Sequence, residues 1–403
     1  MIKKSNKKII KTIYVHEKLT HPTKKSLLQH TPKNIRFVFS DYSRQDISIS
    51  SEKINESSLR STVKKILKKI LEILKLPRIK LFLPTKSKHY DYILSNYCLV
   101  LSIKKGVYGP LEHVGDILEY KYHKLKSRFC LSFLKLYILS NRCKYLFFMS
   151  ESSKDCFQRF LNIPQKKSSK LQVIYPTLKP IKKKVKKESK EVYLLYIARL
   201  RKINPEYSFY VKGGHLVLKA YKELKEKYDN LKLIFVGHIP PEYQSMLASL
   251  RDVENYPQGF KGDIMELFQK ADIFLFPSYI DGFGYTVIEA MANSLPVVCL
   301  NNHFAVRELV LNNKTGFILN TNLRYMRFPN TNFHPDWVQQ LRFYNYIKKD
   351  NDDATLKEFI SKIDLLIQND NLRKEFGRNG RERLVNGDLS LSHRNEKLKR
   401  LFK

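Results

Sequence analysis

From residue 191 onward the apolar positions fall into two alternating periods. Val192–Ala198, Leu231–Val236, Asp272–Phe276 and Pro296–Leu300 contain short, nearly continuous apolar runs, the pattern of strands buried on both faces. Between them, Gly213–Tyr228, Asp263–Ala271 and Tyr285–Ala292 have helical spacing, carried in the first by Leu216, Leu218, Ala220, Tyr221 and Leu224 and in the second by Ile264, Leu267 and Phe268. Strands alternating with helices predict a parallel, doubly wound sheet, because a right-handed crossover needs a helix between neighbouring parallel strands. Ligands of such sheets bind beyond the carboxyl ends of the strands. The rule points to the loops after residues 198, 237, 276 and 300.

The first half is patterned less regularly. Ile35–Phe39, Tyr92–Ser102 and Lys144–Phe148 read as buried strands. Ser61–Leu76 reads as an amphipathic helix, with Val63, Ile66, Leu67, Ile70, Leu71 and Leu74 on one side and five lysines on the other. Such a helix suits either a domain core with a solvated lysine face or an anionic membrane surface. The apolar stretches at Tyr92–Ile103 and Phe129–Leu139 are too short or too interrupted to span a bilayer.

The segment Lys179–Lys190 carries seven lysines and one acid, cannot join a core, and marks a domain boundary. The expected organisation is an α/β N-terminal domain over 1–180, a basic linker over 181–190, and a C-terminal ligand-binding domain over 191–385. A last helix over 386–403 could pack back on the first domain. A length of 403 residues suits two such domains.

Charge enlarges the list of partners. Lys and Arg number 74 against 38 Asp and Glu, a net charge of +36, which favours nucleic acid, acidic membrane surfaces or phosphate-bearing substrates. No helix-turn-helix, zinc finger or RNP-type motif supports nucleic acid. Five scattered cysteines without a C-x-x-C pair argue for a reducing compartment, and the basic start lacks a signal-peptide core. A cytoplasmic protein is expected, with the inner face of the membrane as a possible location. Asp350-Asn-Asp352 has D-x-D form but reads as a polar loop before a helix, so no metal site is expected.

The densest chemistry lies in Phe276-Pro-Ser-Tyr-Ile-Asp-Gly-Phe-Gly-Tyr-Thr-Val-Ile-Glu-Ala-Met-Ala-Asn-Ser-Leu-Pro-Val-Val298, a strand, a glycine loop, a helix and a strand. Gly282 and Gly284 let the backbone turn tightly and approach a ligand, and the helix behind them offers unpaired N–H groups to an anion. Asp281 and Glu289, the latter expected in the first helical turn, could grip separated hydroxyls of one ligand. Thr286-Val-Ile-Glu289 also reads as a capping box.

This stretch resembles the E-x7-E region of family-four retaining glycosyltransferases, the group 1 glycosyl transferases. Leu194-Leu-Tyr-Ile-Ala-Arg-Leu200 and Val211-Lys-Gly-Gly214 are similar to that family's G-R-L strand end and K-G turn. Leu233–Gly237, Gly259-Phe260, Leu267–Ser278, Arg307–Val310, Lys314–Ile318 and Leu356–Leu384 follow in family order. The resemblance implies a GT-B fold, two Rossmann-like domains with parallel sheets facing across a cleft. It implies transfer of a hexose from a nucleotide-diphosphate sugar to an acceptor hydroxyl with retention, the acceptor being a glycan or lipid-linked. No cofactor is implied beyond the donor substrate.

By the same resemblance Arg199 and Lys212 would hold the diphosphate, Glu289 the ribose and Asp281 the transferred sugar. The backbone at Phe283, Gly284 and Tyr285 would face sugar and phosphate. Gly282, Thr286, Gly237, Gly259 and Phe260 complete the expected donor surroundings, and His113 is the acceptor-side candidate. The sequence departs from the pattern in four places: Asp281 replaces the usual Glu, Ala198 the usual glycine, Asn204–Tyr210 looks inserted, and the first strand lacks its glycine loop. Leu323–Lys349 matches nothing. Asp281 and the missing glycine loop keep one alternative open, a catalytically impaired sugar-nucleotide-binding relative, and the net charge keeps another, a basic nucleic-acid-binding protein.

Overall fold

A computed structural model describes residues 10–15, 28, 30–39, 69–70, 73, 79–81, 90–95, 98–112, 114–117, 127–179, 181, 190–198, 204–301, 305–321, 337–349 and 352–403. The chain divides into two compact units. One comprises Met1–Pro176 with Asn332–His334 and Ser392–Lys403; the other comprises Thr177–Thr331 and Pro335–Leu391.

The first unit contributes strands β1 (Lys11–Val15), β2 (Ile35–Phe39), β3 (Ile79–Leu81), β4 (Tyr92–Ser95), β5 (Leu99–Leu101), β6 (Lys105–Leu111), β7 (Cys143–Phe148) and β8 (Leu171–Val173). Six form one sheet in the order β2-β1-β4-β6-β7-β8, all parallel, while β3 pairs with β5 separately. The single strand expected over Tyr92–Ser102 is therefore two strands in two sheets. Ser95 marks the break: its hydroxyl donates to the Cys98 carbonyl at 2.9 Å, turning the chain between them. The C-terminal helix Leu391–Leu401 belongs mostly to this unit, where Leu398 and Phe402 join the cluster of Ile13, Val15, Leu94 and Phe147. The Tyr145 hydroxyl donates to the Leu401 carbonyl at 2.9 Å. Of the helix expected at Ser61–Leu76 only Lys69, Ile70 and Ile73 are described; all three are helical and exposed, and its remaining residues lie outside the described ones.

The second unit holds β9 (Val192–Ile197), β10 (Leu231–Val236), β11 (Val253–Tyr256), β12 (Ile273–Phe276), β13 (Val297–Leu300) and β14 (Gly316–Leu319). They form a parallel sheet in the order β11-β10-β9-β12-β13-β14. The order reverses between β9 and β12, and in sheets of this kind ligands bind beyond the carboxyl ends of the strands at such a reversal. Both six-stranded sheets are parallel and helix-covered, so the α/β class with two Rossmann-like domains expected from the sequence holds.

Asn204–Tyr210, which interrupts the family pattern, is a helix, Pro205–Val211. Asn204 caps it by accepting from the Tyr207 N–H at 3.0 Å, with Pro205 at the first helical position, where a missing N–H costs nothing. The unmatched stretch ends in another helix, Trp337–Lys349. The two pack together: the Tyr344 ring lies 5.8 Å from those of Tyr207 and Tyr210, and its hydroxyl donates to Glu206 at 3.1 Å. Of the D-x-D triplet only Asp352 is described. It is buried and accepts from the Thr321 hydroxyl at 2.6 Å.

Candidate donor site

Beyond the carboxyl ends of β9 and β12 two loops meet. Val211 accepts a backbone hydrogen bond from Tyr279 at 2.9 Å. Gly213, at φ +76°, sits so close to Pro277 that an added Cβ would lie 2.1 Å from the Pro277 carbonyl oxygen, so glycine is required both by conformation and by contact. Between these two points stands Lys212. Its ammonium donates to the Ile280 carbonyl at 2.6 Å and to Asp281 Oδ2 at 2.6 Å. The other carboxylate oxygen, Oδ1, accepts from the Gly284 N–H at 3.1 Å. Asp281 thus ties the lysine of one loop to the glycine turn of the other.

Gly284, at φ +88°, is the N-cap of the helix Tyr285–Ala292, with no side-chain cap. This overturns the capping-box alternative, since Thr286 lies inside the helix. It also corrects the position of Glu289, which is the helix's fifth residue and so begins the second turn. The left-handed glycine, rather than the threonine, starts this helix because only glycine takes that conformation without strain.

Among the described residues nothing donates a hydrogen bond to the Glu289 carboxylate, and burial pushes its pKa up to about 7. A half-buried carboxylate without a partner is costly in the free protein and ready to accept from ligand hydroxyls. The helix is held from behind by Asp370–Val385: a Cβ at Gly377 would lie 1.9 Å from the Ser294 carbonyl oxygen, and Arg381 donates to the Ala292 carbonyl.

The other expected residues are distributed as follows. Gly237, at φ +155°, faces Ala198, whose Cβ would be 3.3 Å from a Cβ placed at 237. The side chain at 198 is accommodated because its neighbour has none. Gly259, at φ +83°, turns the chain after β11, and the Phe260 ring stands 5.0 Å from Tyr256. Phe283 is buried, whereas Gly282, Tyr285 and Thr286 are half-buried. Arg199 and His113 lie outside the described residues.

Two participants escape sequence reasoning. The Ile280 carbonyl accepts from both Lys212 and the Ser278 hydroxyl, the latter at 2.9 Å; no side-chain pattern announces a backbone acceptor. His215, next to the Gly213–Gly214 turn, is buried and stacked on Tyr279 at 6.1 Å. Its Nδ1 lacks a partner, and burial pushes its pKa down to about 3.

Residues 179–328 match the family model described as glycosyl transferases group 1. Over 179 residues the chain is 25% identical to the capsular polysaccharide biosynthesis glycosyltransferase CapM of Staphylococcus aureus, covering 43% of this chain and 38% of that protein. The chain spans half or less of the length of the first curated relatives it matches. Solved structures match over nearly the whole length. A glycosyltransferase from Rickettsia africae has a TM-score of 0.55 at 17% identity, covering 98% of both chains. Anabaena HepE, solved in complex with UDP, has 0.55 at 15% identity, covering 97% of this chain and 99% of its own. At these identities the likeness shows the fold, that of the two-domain glycosyltransferases.

Proposed function

We propose that the chain is a glycosyltransferase whose second unit binds the diphosphate of a nucleotide sugar and whose transfer goes to an acceptor hydroxyl. The observation that carries this reading is the meeting of Lys212, Asp281 and the Gly284 helix start at the reversal of strand order, the same helix bearing Glu289, to whose carboxylate none of the described residues donates. Breaking a sugar–diphosphate bond leaves added charge on the phosphate, and a fixed ammonium lowers that barrier. In this reading Lys212 and Arg199 hold the diphosphate. The Phe283–Tyr285 backbone faces the phosphate and sugar, and Glu289 accepts from the ribose. Transfer with retention of configuration, a hexose donor, and a glycan or lipid-linked acceptor belong to the same proposal. It is supported by the order of motifs and by the family match over 179–328.

A thermal-shift series with UDP-, GDP-, ADP- and CDP-sugars tests it, since a ligand selective for the folded state raises Tm. One base is expected to raise Tm by several degrees, and Glu289→Ala is expected to cost that ligand roughly 1.5–3 kcal/mol, the scale of a hydrogen bond to a charged group. No shift with any of the four at millimolar concentration would end the proposal.

A further inference from the structure

In the first unit the helix Arg128–Leu139 buries Cys130, Leu134, Tyr137 and Ile138 against the core. Its other side should be polar, as on an ordinary domain helix. Instead Phe129 is 79% exposed and Leu136 69% exposed, two turns apart on one face, with Ser132 and the partly buried Phe133 between them. Ile103, 79% exposed, occupies a turn tied to the same helix end: Arg142 donates to the Ser102 carbonyl at 2.6 Å, and the Tyr137 hydroxyl to the Val100 carbonyl at 2.8 Å.

The surroundings of these side chains are cationic. The described residues 127–150 contain two lysines and two arginines and no Asp or Glu. Lys170 is anchored on the last carbonyls of the helix, donating to Ile138, Leu139 and Ser140. Burial depresses its pKa, and the nearby charges of Lys167, Lys105 and Lys144 add to the effect. Among the described residues none of these four lysines pairs with a carboxylate. Cations gathered beside exposed aromatic and aliphatic side chains match the two-layer chemistry of a membrane interface, with acidic headgroups outside and acyl chains beneath. A protein partner would instead have to bring its own acidic rim.

We propose that the exposed face of Arg128–Leu139, with Ile103 and the lysines at its end, seats the first unit on the surface of an anionic lipid bilayer. Phe129 and Leu136 enter the headgroup–acyl boundary while the lysines meet the lipid phosphates. This inference does not depend on the donor-site reading.

The test is sedimentation of the full chain with vesicles of three parts phosphatidylglycerol to seven parts phosphatidylcholine, compared with pure phosphatidylcholine. Native protein is expected to partition at least tenfold more strongly onto the anionic vesicles. The Phe129→Ser/Leu136→Ser variant is expected to lose tenfold or more while keeping native circular dichroism. Phe129→Trp in a Trp337→Phe background provides a second readout, a blue-shifted emission on anionic vesicles only. Equal partitioning of native and double-serine protein would overturn the proposal, as would an emission from the Phe129→Trp variant that vesicles leave unshifted. A native dimer that the serine variant converts to monomer, without vesicle binding, would assign the face to a second copy and also overturn it.

Discussion

Lys212 and Asp281 are 69 positions apart in sequence, yet their side chains meet at 2.6 Å. Each is also anchored to backbone, the lysine at the Ile280 carbonyl and the acid at the Gly284 N–H. The shorter acid therefore serves two loops at once, and its effect on any bound phosphate should pass through the lysine.

Under that coupling, Lys212→Ala should weaken nucleoside diphosphate binding by roughly 1.5–3 kcal/mol, and Asp281→Asn should alter it only while Lys212 is present. A double-mutant cycle read by calorimetry with UDP, or with whichever of UDP, GDP and ADP binds the native chain, should return an interaction energy of about 0.5–3 kcal/mol. Strict additivity would mean that Asp281 acts on the ligand independently.

Glu289 sets a pH dependence. Its folded pKa of about 7 lies above that of a free carboxyl, so the folded chain keeps a proton that the unfolded chain releases between roughly pH 4.5 and 7. Native stability is therefore penalised progressively across that window, and fully above it. Glu289→Gln should raise stability at pH 8 by up to about 3 kcal/mol and leave it nearly unchanged at pH 4, as urea titrations would register. If ribose hydroxyls donate to the carboxylate, nucleotide binding near pH 7 should also release a proton. Binding heats in buffers of different ionisation enthalpy would expose that release.

His215 has the opposite sense. Its folded pKa of about 3 lies below that of a free imidazole, so the unfolded chain takes up a proton as pH falls below about 6.5 and the native chain does not. Stability should decline from pH 6.5 toward 3 on this account. His215→Phe, which keeps a ring against Tyr279, should flatten the decline; an unchanged pH profile would place the acid sensitivity elsewhere.

Gly213 makes a steric prediction. Gly213→Ala forces a Cβ against the Pro277 carbonyl in a left-handed conformation, a strain on the order of 1–3 kcal/mol. Thermal denaturation should show the loss. Because the displaced loop carries Lys212, diphosphate affinity should fall as well. Gly282→Ala is a useful contrast, since Gly282 has no left-handed φ.

The second unit is legible in the sequence because its strands are buried on both faces. Runs such as Leu231–Val236 and Val297–Leu300 have no other way to satisfy their apolar side chains, and helical spacing between them sets the crossovers. The first unit is harder to read: Ser95 and Cys98 end one apolar run and begin another through a side-chain hydrogen bond that no hydrophobic period encodes. At the site, residue types mark Lys212 and Asp281, but not that they bind each other. Thr286 and Glu289 have capping chemistry and suggest the wrong helix start, whereas the actual cap, Gly284, works through its backbone. The helix at Pro205–Val211 has a signal in Asn204-Pro205, a cap followed by a proline, within a stretch that otherwise resembles an insertion.

That insertion and the helix Trp337–Lys349 are two halves of one aromatic joint, closed by Tyr207, Tyr210 and Tyr344 and latched by Glu206 with Lys348. Neither half can be trimmed alone without stripping cover from the other's rings. A graft that transplants one must carry its distant companion, and the Pro205–Val211 half must stay in any shortened chain, because its Phe209 and Tyr210 also pack on Tyr243 and His215.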